Sequence, residues 1–165
     1  MSFLGKVKKK LRNGSWYPFY NTFYEKNNLD PHMILLESRS GKALESNILS
    51  LLKELCQEPY RNFTLVLSVH RDSENEIKEK LQKNSIQGVH FVRTGSVAYY
   101  HALSRAGYLV NDTSFPGRFI KKEGQIYLNT WHGTPLKKMG RDNRPEMVTM
   151  GNVQRNLLDS DYLVF

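Results

Sequence analysis

Ile126-Tyr127-Leu128-Asn129-Thr130-Trp131-His132-Gly133-Thr134-Pro135 is the stretch on which the fold turns. Ile126 to Thr130 carry the aromatic and β-branched side chains of a strand, with Gly124 as the turn before it. Trp131-His132-Gly133 breaks the pattern. Thr134 and Pro135 then read as the N-cap and first residue of a helix, where proline's missing N–H costs nothing. Such a strand-to-helix joint belongs to an open α/β sheet, whose sites lie where strand ends meet helix starts. It sets His132 beside backbone N–H groups that attract anions. Lys137, Lys138 and Arg141 follow, so phosphate is the natural ligand class. The same field disfavours imidazolium and leaves His132 neutral, able to accept a proton near pH 7. Gly133 lets a substrate or a second backbone approach where a Cβ would obstruct it. The competing reading is a histidine that only hydrogen-bonds a loop.

Working outward, the rest of the chain repeats that joint. Met33-Ile34-Leu35-Leu36 is continuously apolar, as in a strand buried on both faces. Ser38-Arg39-Ser40-Gly41-Lys42 is no phosphate loop: the upstream glycine would fall at Leu36, and Ala43 replaces the Ser/Thr after the lysine. A turn is expected there instead. Leu44, Ile48, Leu51, Leu52 and Leu55 give a helix with one apolar face, and Cys56 in its last turn reads as a small packing residue. Phe63 to Val69 is a second strand. Ser73-Glu74-Asn75-Glu76 reads as a capping box ahead of a helix with Ile77 and Leu81 inward. Val89 to Val92 is a third strand, ending in Arg93-Thr94-Gly95-Ser96. Ser96 is expected to cap a helix running to Ala106 and closed by Gly107. The turn at Gly95 and Ser96 is a second candidate anion cradle, against the alternative of an ordinary loop. Tyr108 to Val110 is a fourth strand, delivering Asn111 and Asp112 to the same edge. Arg118, Lys121 and Lys122 read as a solvated face, and 139–150 as irregular. Thr149 or Asn152 is expected to cap a short helix carrying Val153, Leu157 and Leu158, before a last strand from Tyr162 to Phe165. This alternation predicts an α/β fold, a mostly parallel sheet with helices on both faces.

Composition narrows the function classes. A chain of 165 residues with 12% aromatic and 24% charged side chains suits a folded domain with a substantial core. One cysteine excludes an intramolecular disulfide framework and a cysteine-rich zinc site, and fits a reducing compartment. No apolar run approaches the ~20 residues that span a bilayer, and the amino terminus lacks the apolar core of a secretory leader. The net charge of +8 is uneven. Lys6, Lys8, Lys9, Lys10 and Arg12 supply +5 within the first twelve residues, where no acid stands, leaving +3 for the remainder. As a helix, residues 2–12 place Phe3, Leu4, Val7 and Leu11 on one stripe with the cations around it. Trp16, Tyr17, Phe19, Tyr20, Phe23 and Tyr24 follow, residue types suited to a membrane–water interface. The arm, residues 1–29, is therefore a candidate for peripheral contact with an anionic membrane surface. The alternative is that its aromatics pack onto the body, residues 30–165. A nucleic-acid partner finds no recognition-helix or RNA-binding signature.

Other chemistry is sparse. His32 and His90 lie beside or within strands, His101 lies within a helix, and His70 after a strand is a weak site candidate. No pair of ligand residues has metal-binding spacing, so no protein-bound metal is expected. There is no nucleophile elbow and no recognisable acid/base carboxylate pair.

Asn129 through Lys138, followed by Gly140 and Asp142, resembles the signature of the CDP-glycerol glycerophosphotransferase family, the bacterial enzymes that build teichoic acid and related polyol-phosphate chains. Leu36-Glu37-Ser38 with Gly41-Lys42 is similar to the family's first strand and loop, and the likeness runs from about residue 30 onward. The resemblance implies a Rossmann-like, amino-terminal half of a two-domain glycosyltransferase-B type fold. This half meets the acceptor, while a second histidine and the donor-binding residues lie downstream. On the residues' own reading His132 is the expected general base, with Asp112 or Asp142 orienting the imidazole. Thr130, Gly133, Thr134, Lys137, Lys138 and Arg141 would contact acceptor phosphate. The implied partners are a CDP-glycerol or CDP-ribitol donor, with no further cofactor, and a membrane-linked polyol-phosphate or glycolipid acceptor. The implied place is the cytoplasmic face of the membrane, and the half alone is expected to be inactive. A sugar-nucleotide glycosyltransferase half-domain, or a non-catalytic module binding anionic polymer or lipid, are the alternatives.

Overall fold

The computed structural model describes residues 17–117, 119–131 and 147–164. In chain order these form α1 (Tyr17–Lys26), β1 (Asp30–Glu37), α2 (Ser46–Leu55), β2 (Thr64–Val69), α3 (Glu74–Lys83), β3 (Val89–Arg93), α4 (Val97–Arg105), β4 (Ala106–Asn111), β5 (Ile126–Asn129), α5 (Met147–Asp159) and β6 (Tyr162–Leu163). The strands make one sheet in the order β3-β2-β1-β4-β5-β6, every pairing parallel. This is the doubly wound, Rossmann-like arrangement. A right-handed crossover dictates which face each helix covers. While strands are added outward from β1 to β3, α2 and α3 lie on one face. They bury Ile48, Leu52, Ile77 and Leu81 against Ile34, Leu36, Leu65 and Leu67. The chain then returns past β1 to β4, and α4 falls on the opposite face. There Tyr99, Ala102 and Leu103 meet Leu35, Val66, Leu109 and Tyr127. Adjacent residues of β1 thus serve opposite cores, Ile34 and Leu36 one and Leu35 the other, which is why Met33 to Leu36 is apolar at every position.

The aromatic segment after residue 16 belongs in part to this second core. Tyr20 on α1 is buried there, its hydroxyl donating to Ile120 O at 2.9 Å. Phe23 meets the His101 ring edge-on at 5.4 Å, and Asn27 Nδ2 donates to Ser104 Oγ at 2.7 Å. The β4–β5 connection adds Phe115 and Phe119, both buried beside Tyr127.

Several local expectations are corrected. The helix after Ser96 ends at Arg105, and Gly107 is a strand residue instead of a helix terminator. A Cβ at Gly107 would stand 2.8 Å from Asp30 O, so the glycine admits the irregular start of the β1–β4 pairing. The capping box does not form. A 3-10 turn at Arg71–Ser73 runs directly into α3, and the Ser73 side chain makes no cap bond. Lys121 and Lys122 are not a solvated face: Lys121 Nζ pairs with Asp161 at 2.6 Å, while Lys122 Nζ donates to Asn27 O and lies over the Tyr24 ring. Arg118 lies outside the described residues. Thr149 and Asn152 fall inside α5, which already begins at Met147 within the stretch 139–150 expected to be irregular, and Leu158 on that helix is 77% exposed.

Candidate functional site

In a doubly wound sheet the crevice opens at the carboxyl ends of the strands where the order of addition reverses. Here that is the gap between β1 and β4. It is bridged at once by side chains. Asp112, just past β4, accepts from Ser38 Oγ and from the Arg39 N–H, both at 2.7 Å. Ser38 Oγ in turn accepts the Glu45 N–H ahead of α2, and Arg39 Nε reaches Glu45 at 3.4 Å. The Ser38–Lys42 segment is the expected turn, and a tight one: Arg39, Ser40 and Gly41 all take positive φ. Gly41 is wedged against the ends of the neighbouring strands. A Cβ there would meet Thr94 Oγ1 at 2.2 Å and His70 N at 2.8 Å, and the His70 N–H donates to Gly41 O. Thr94 closes the row, its hydroxyl 2.9 Å from Ser68 Oγ.

Beneath this edge lies a polar layer that the sequence conceals. In register across four strands, Ser68 pairs with Glu37, Glu37 with Asn111, and Asn111 with Asn129. All four are buried on one face. Glu37 is 1% exposed, and burial lifts its carboxyl from 4.5 to about 7; the Ser68 and Tyr99 hydroxyls pull it back in part, and the Asp112 charge adds to the rise. Among the described residues, Asn111 Nδ2 has no hydrogen-bond partner. At the β5 end the Tyr127 hydroxyl ties two members of the layer together. The Tyr127 hydroxyl donates to Asn111 Oδ1 at 2.9 Å and accepts from Asn129 Nδ2 at 3.1 Å. The one sequence signal for this layer was a polar or acidic residue at the end of three apolar runs (Glu37, Asn111, Asn129) and one position before the end of a fourth (Ser68).

The stretch leading to His132 leaves the sheet next to that layer. The Thr130 N–H donates to Asn111 O at 2.8 Å, and Thr130 O accepts from Asn47 Nδ2 on α2 at 3.2 Å. Asp112 and Thr130 therefore stand level on adjacent strands. Gly95 and Ser96 follow β3, four strand positions away, or about 19 Å at ~4.8 Å per spacing. No single phosphate spans both places. Ser96 Oγ accepts the Tyr99 N–H as the expected cap of α4, and Gly95 has φ +73° with open space where a Cβ would sit. His132, Gly133, Thr134, Lys137, Lys138, Arg141 and Asp142 lie outside the described residues. So do Phe3, Leu4, Lys6, Val7, Lys8, Lys9, Lys10, Leu11, Arg12 and Trp16.

The remaining candidates have structural surroundings. His32 packs against Phe63. His70 Nδ1 accepts the Asp72 N–H at 3.4 Å. Cys56 sits at the end of α2, where burial pushes its thiol up, away from the thiolate a nucleophile needs. Among the described residues no group of three or more His, Cys, Asp or Glu is placed to hold a metal ion. Among them, too, no helix is long and apolar enough to cross a membrane.

A family model described as CDP-Glycerol:Poly(glycerophosphate) glycerophosphotransferase matches residues 19–165. The chain belongs to this family. Within the glycerophosphotransferase family, it is 32% identical over 123 residues to the teichoic acid poly(glycerol phosphate) polymerase of Staphylococcus epidermidis, covering 74% of this chain and 16% of that protein. It is 28% identical over 137 residues to the teichoic acid glycerol-phosphate transferase of Staphylococcus aureus, covering 82% and 33%. A variant of the wall teichoic acid polymerase TagF soaked with CDPG superposes with a TM-score of 0.68 at 26% identity, covering 99% of this chain and 42% of that one. TagF without a stated substitution gives a TM-score of 0.66 at 25% identity, covering 99% and 41%. The chain thus spans no more than a third of those curated glycerophosphotransferases and less than half of the solved TagF chains. The likeness read from Asn129–Lys138 and from the Leu36–Lys42 region is borne out at the level of family and fold.

Proposed function

We propose that this chain is the acceptor-side part of an enzyme that transfers glycerol phosphate or ribitol phosphate from its CDP-activated form onto a teichoic acid or capsule-type polymer. Residues 30–165 form that part, and residues 1–29 lead into it as a basic, aromatic arm. His132 is the general base. It takes the proton of the acceptor hydroxyl as that oxygen attacks the phosphorus nearest the glycerol. The new O–P bond replaces the bond to CMP, which leaves. Asp112 or Asp142 orients the imidazole. Thr130, Gly133, Thr134, Lys137, Lys138 and Arg141 contact the acceptor phosphate next to the reacting hydroxyl, and Gly95 with Ser96 serves a more distant one. The acceptor is a membrane-linked polyol phosphate or glycolipid, met at the cytoplasmic face of the membrane.

The observation that carries this reading is where β5 ends. It delivers Thr130 and Trp131 to the carboxyl edge of the sheet, beside Asp112 and one strand from the topological switch point. His132 is the next residue. The test is His132→Ala in the full-length protein, assayed by transfer from radiolabelled CDP-glycerol. Loss of the base is expected to cost ~10²–10⁴-fold in kcat. Near-normal transfer by a folded variant refutes the role. Incorporation from UDP-sugars in place of CDP-glycerol supports the glycosyltransferase alternative.

A further inference from the structure

Asn129 is the last residue of β5 and is fully buried, yet both ends of its amide are used. Oδ1 accepts the Trp131 N–H at 2.9 Å, an Asx turn in which a side chain caps the backbone two residues on. Nδ2 donates to Thr113 O at 2.9 Å and to the Tyr127 hydroxyl at 3.1 Å, which locks the amide's orientation. Trp131 is held at φ +45°, a conformation that a bulky side chain adopts only when its surroundings impose it. The imposed bend lies one residue before His132. Strain of this kind collects where a fold aims a functional segment.

We propose that Asn129 is a positioning residue for His132, fixing through the Trp131 N–H the left-handed bend by which the chain leaves the sheet. This inference rests on the reading of His132 as the base. A displaced base loses rate without losing substrate affinity, since misplacement by an ångström is enough to cost about 10²-fold. The role therefore separates from a general packing role by where the loss falls.

The test uses the full-length protein with Asn129→Leu, which keeps the branched shape but removes the acceptor and the donors, and Asn129→Asp, which keeps the shape and the acceptor and gives up only the Nδ2 donors. For Asn129→Leu, kcat falls at least ~30-fold with KM for CDP-glycerol within ~2-fold, while Asn129→Asp stays within ~5-fold of the parent. In a His132→Ala background, Asn129→Leu changes the residual rate by less than ~2-fold, because the group it aims is gone. A folded Asn129→Leu protein with parental kcat overturns the proposal, as does a loss confined to KM or a full loss repeated in the His132→Ala background. Should Asn129→Leu not fold, Asn129→Ser against Asn129→Ala carries the same contrast, since a serine hydroxyl accepts the same N–H in an ST turn. Equal kcat for that pair overturns the proposal; about tenfold in favour of serine supports it. An active His132→Ala protein sinks the base assignment itself. An inactive one beside a fully active Asn129→Leu protein sinks only the positioning role.

Discussion

The Glu37 carboxyl shows how one residue ties the stability of the fold to pH. Burial raises it from 4.5 to about 7, so between those values the folded chain holds a proton that the unfolded chain has released. Stability therefore falls as pH rises through that window, contributes no penalty below it, and bears the full penalty above it. The size is about 3 kcal/mol at pH 8. Glu37→Gln has no proton to lose. Urea denaturation of parent and variant across pH 4 to 8 is expected to give curves that diverge by roughly that amount, the variant gaining on the parent as pH increases. A constant offset between the two curves would show that the carboxyl is not raised. The residue names were in plain view, but their roles were not. Glu37, Ser68, Asn111 and Asn129 are separated by tens of positions, and only the lateral register of four strands sets them side by side.

Elements were most legible where a single local force decides them. Strands buried on both faces announce themselves by unbroken apolar runs, and Leu35 and Leu36 facing opposite cores is the structural form of that signal. Local patterns failed where tertiary contacts outbid them. The serine of Ser73-x-x-Glu76 gave way to a 3-10 turn, Gly107 served a strand pairing, and Lys121 found Asp161 forty residues away. The segment Ser38–Lys42 was read as a turn, yet its tightness depends on atoms of His70 and Thr94, just past β2 and β3, that no local pattern contains. Gly41→Ala tests that dependence. The new Cβ meets Thr94 Oγ1 at 2.2 Å and the His70 backbone N at 2.8 Å, at φ +78°. A left-handed non-glycine residue costs of order 1–3 kcal/mol before the clashes are added. Thermal unfolding is expected to show at least that loss, and adding Thr94→Ala recovers part but not all of it, because the His70 clash is with backbone. Full recovery in the double variant would mean the φ angle and the His70 contact cost nothing.

For the whole molecule, the open question is where the amino-terminal arm stops being a surface and starts being the fold. Tyr20 is 5% exposed, packs its ring 5.8 Å from Tyr100 and donates its hydroxyl to Ile120 O. Burying such a side chain is worth about 1.5–3 kcal/mol, with up to ~1 more from the ring contacts. The five cations of residues 6–12 carry a different expectation: about 1 kcal/mol each near an anionic lipid surface, weakened by salt. Two truncations separate the roles. Removing residues 1–12 is expected to abolish co-sedimentation with phosphatidylserine-containing vesicles at low salt and leave the melting temperature within ~2 °C. Removing residues 1–26 takes Tyr20 away and is expected to lower the melting temperature by several degrees, at roughly 2–4 °C per kcal/mol for a domain of this size. Vesicle binding that survives the shorter truncation would assign the basic segment no part in membrane contact. An unchanged melting temperature after the longer one would mean that α1 rests on the second core without holding it together.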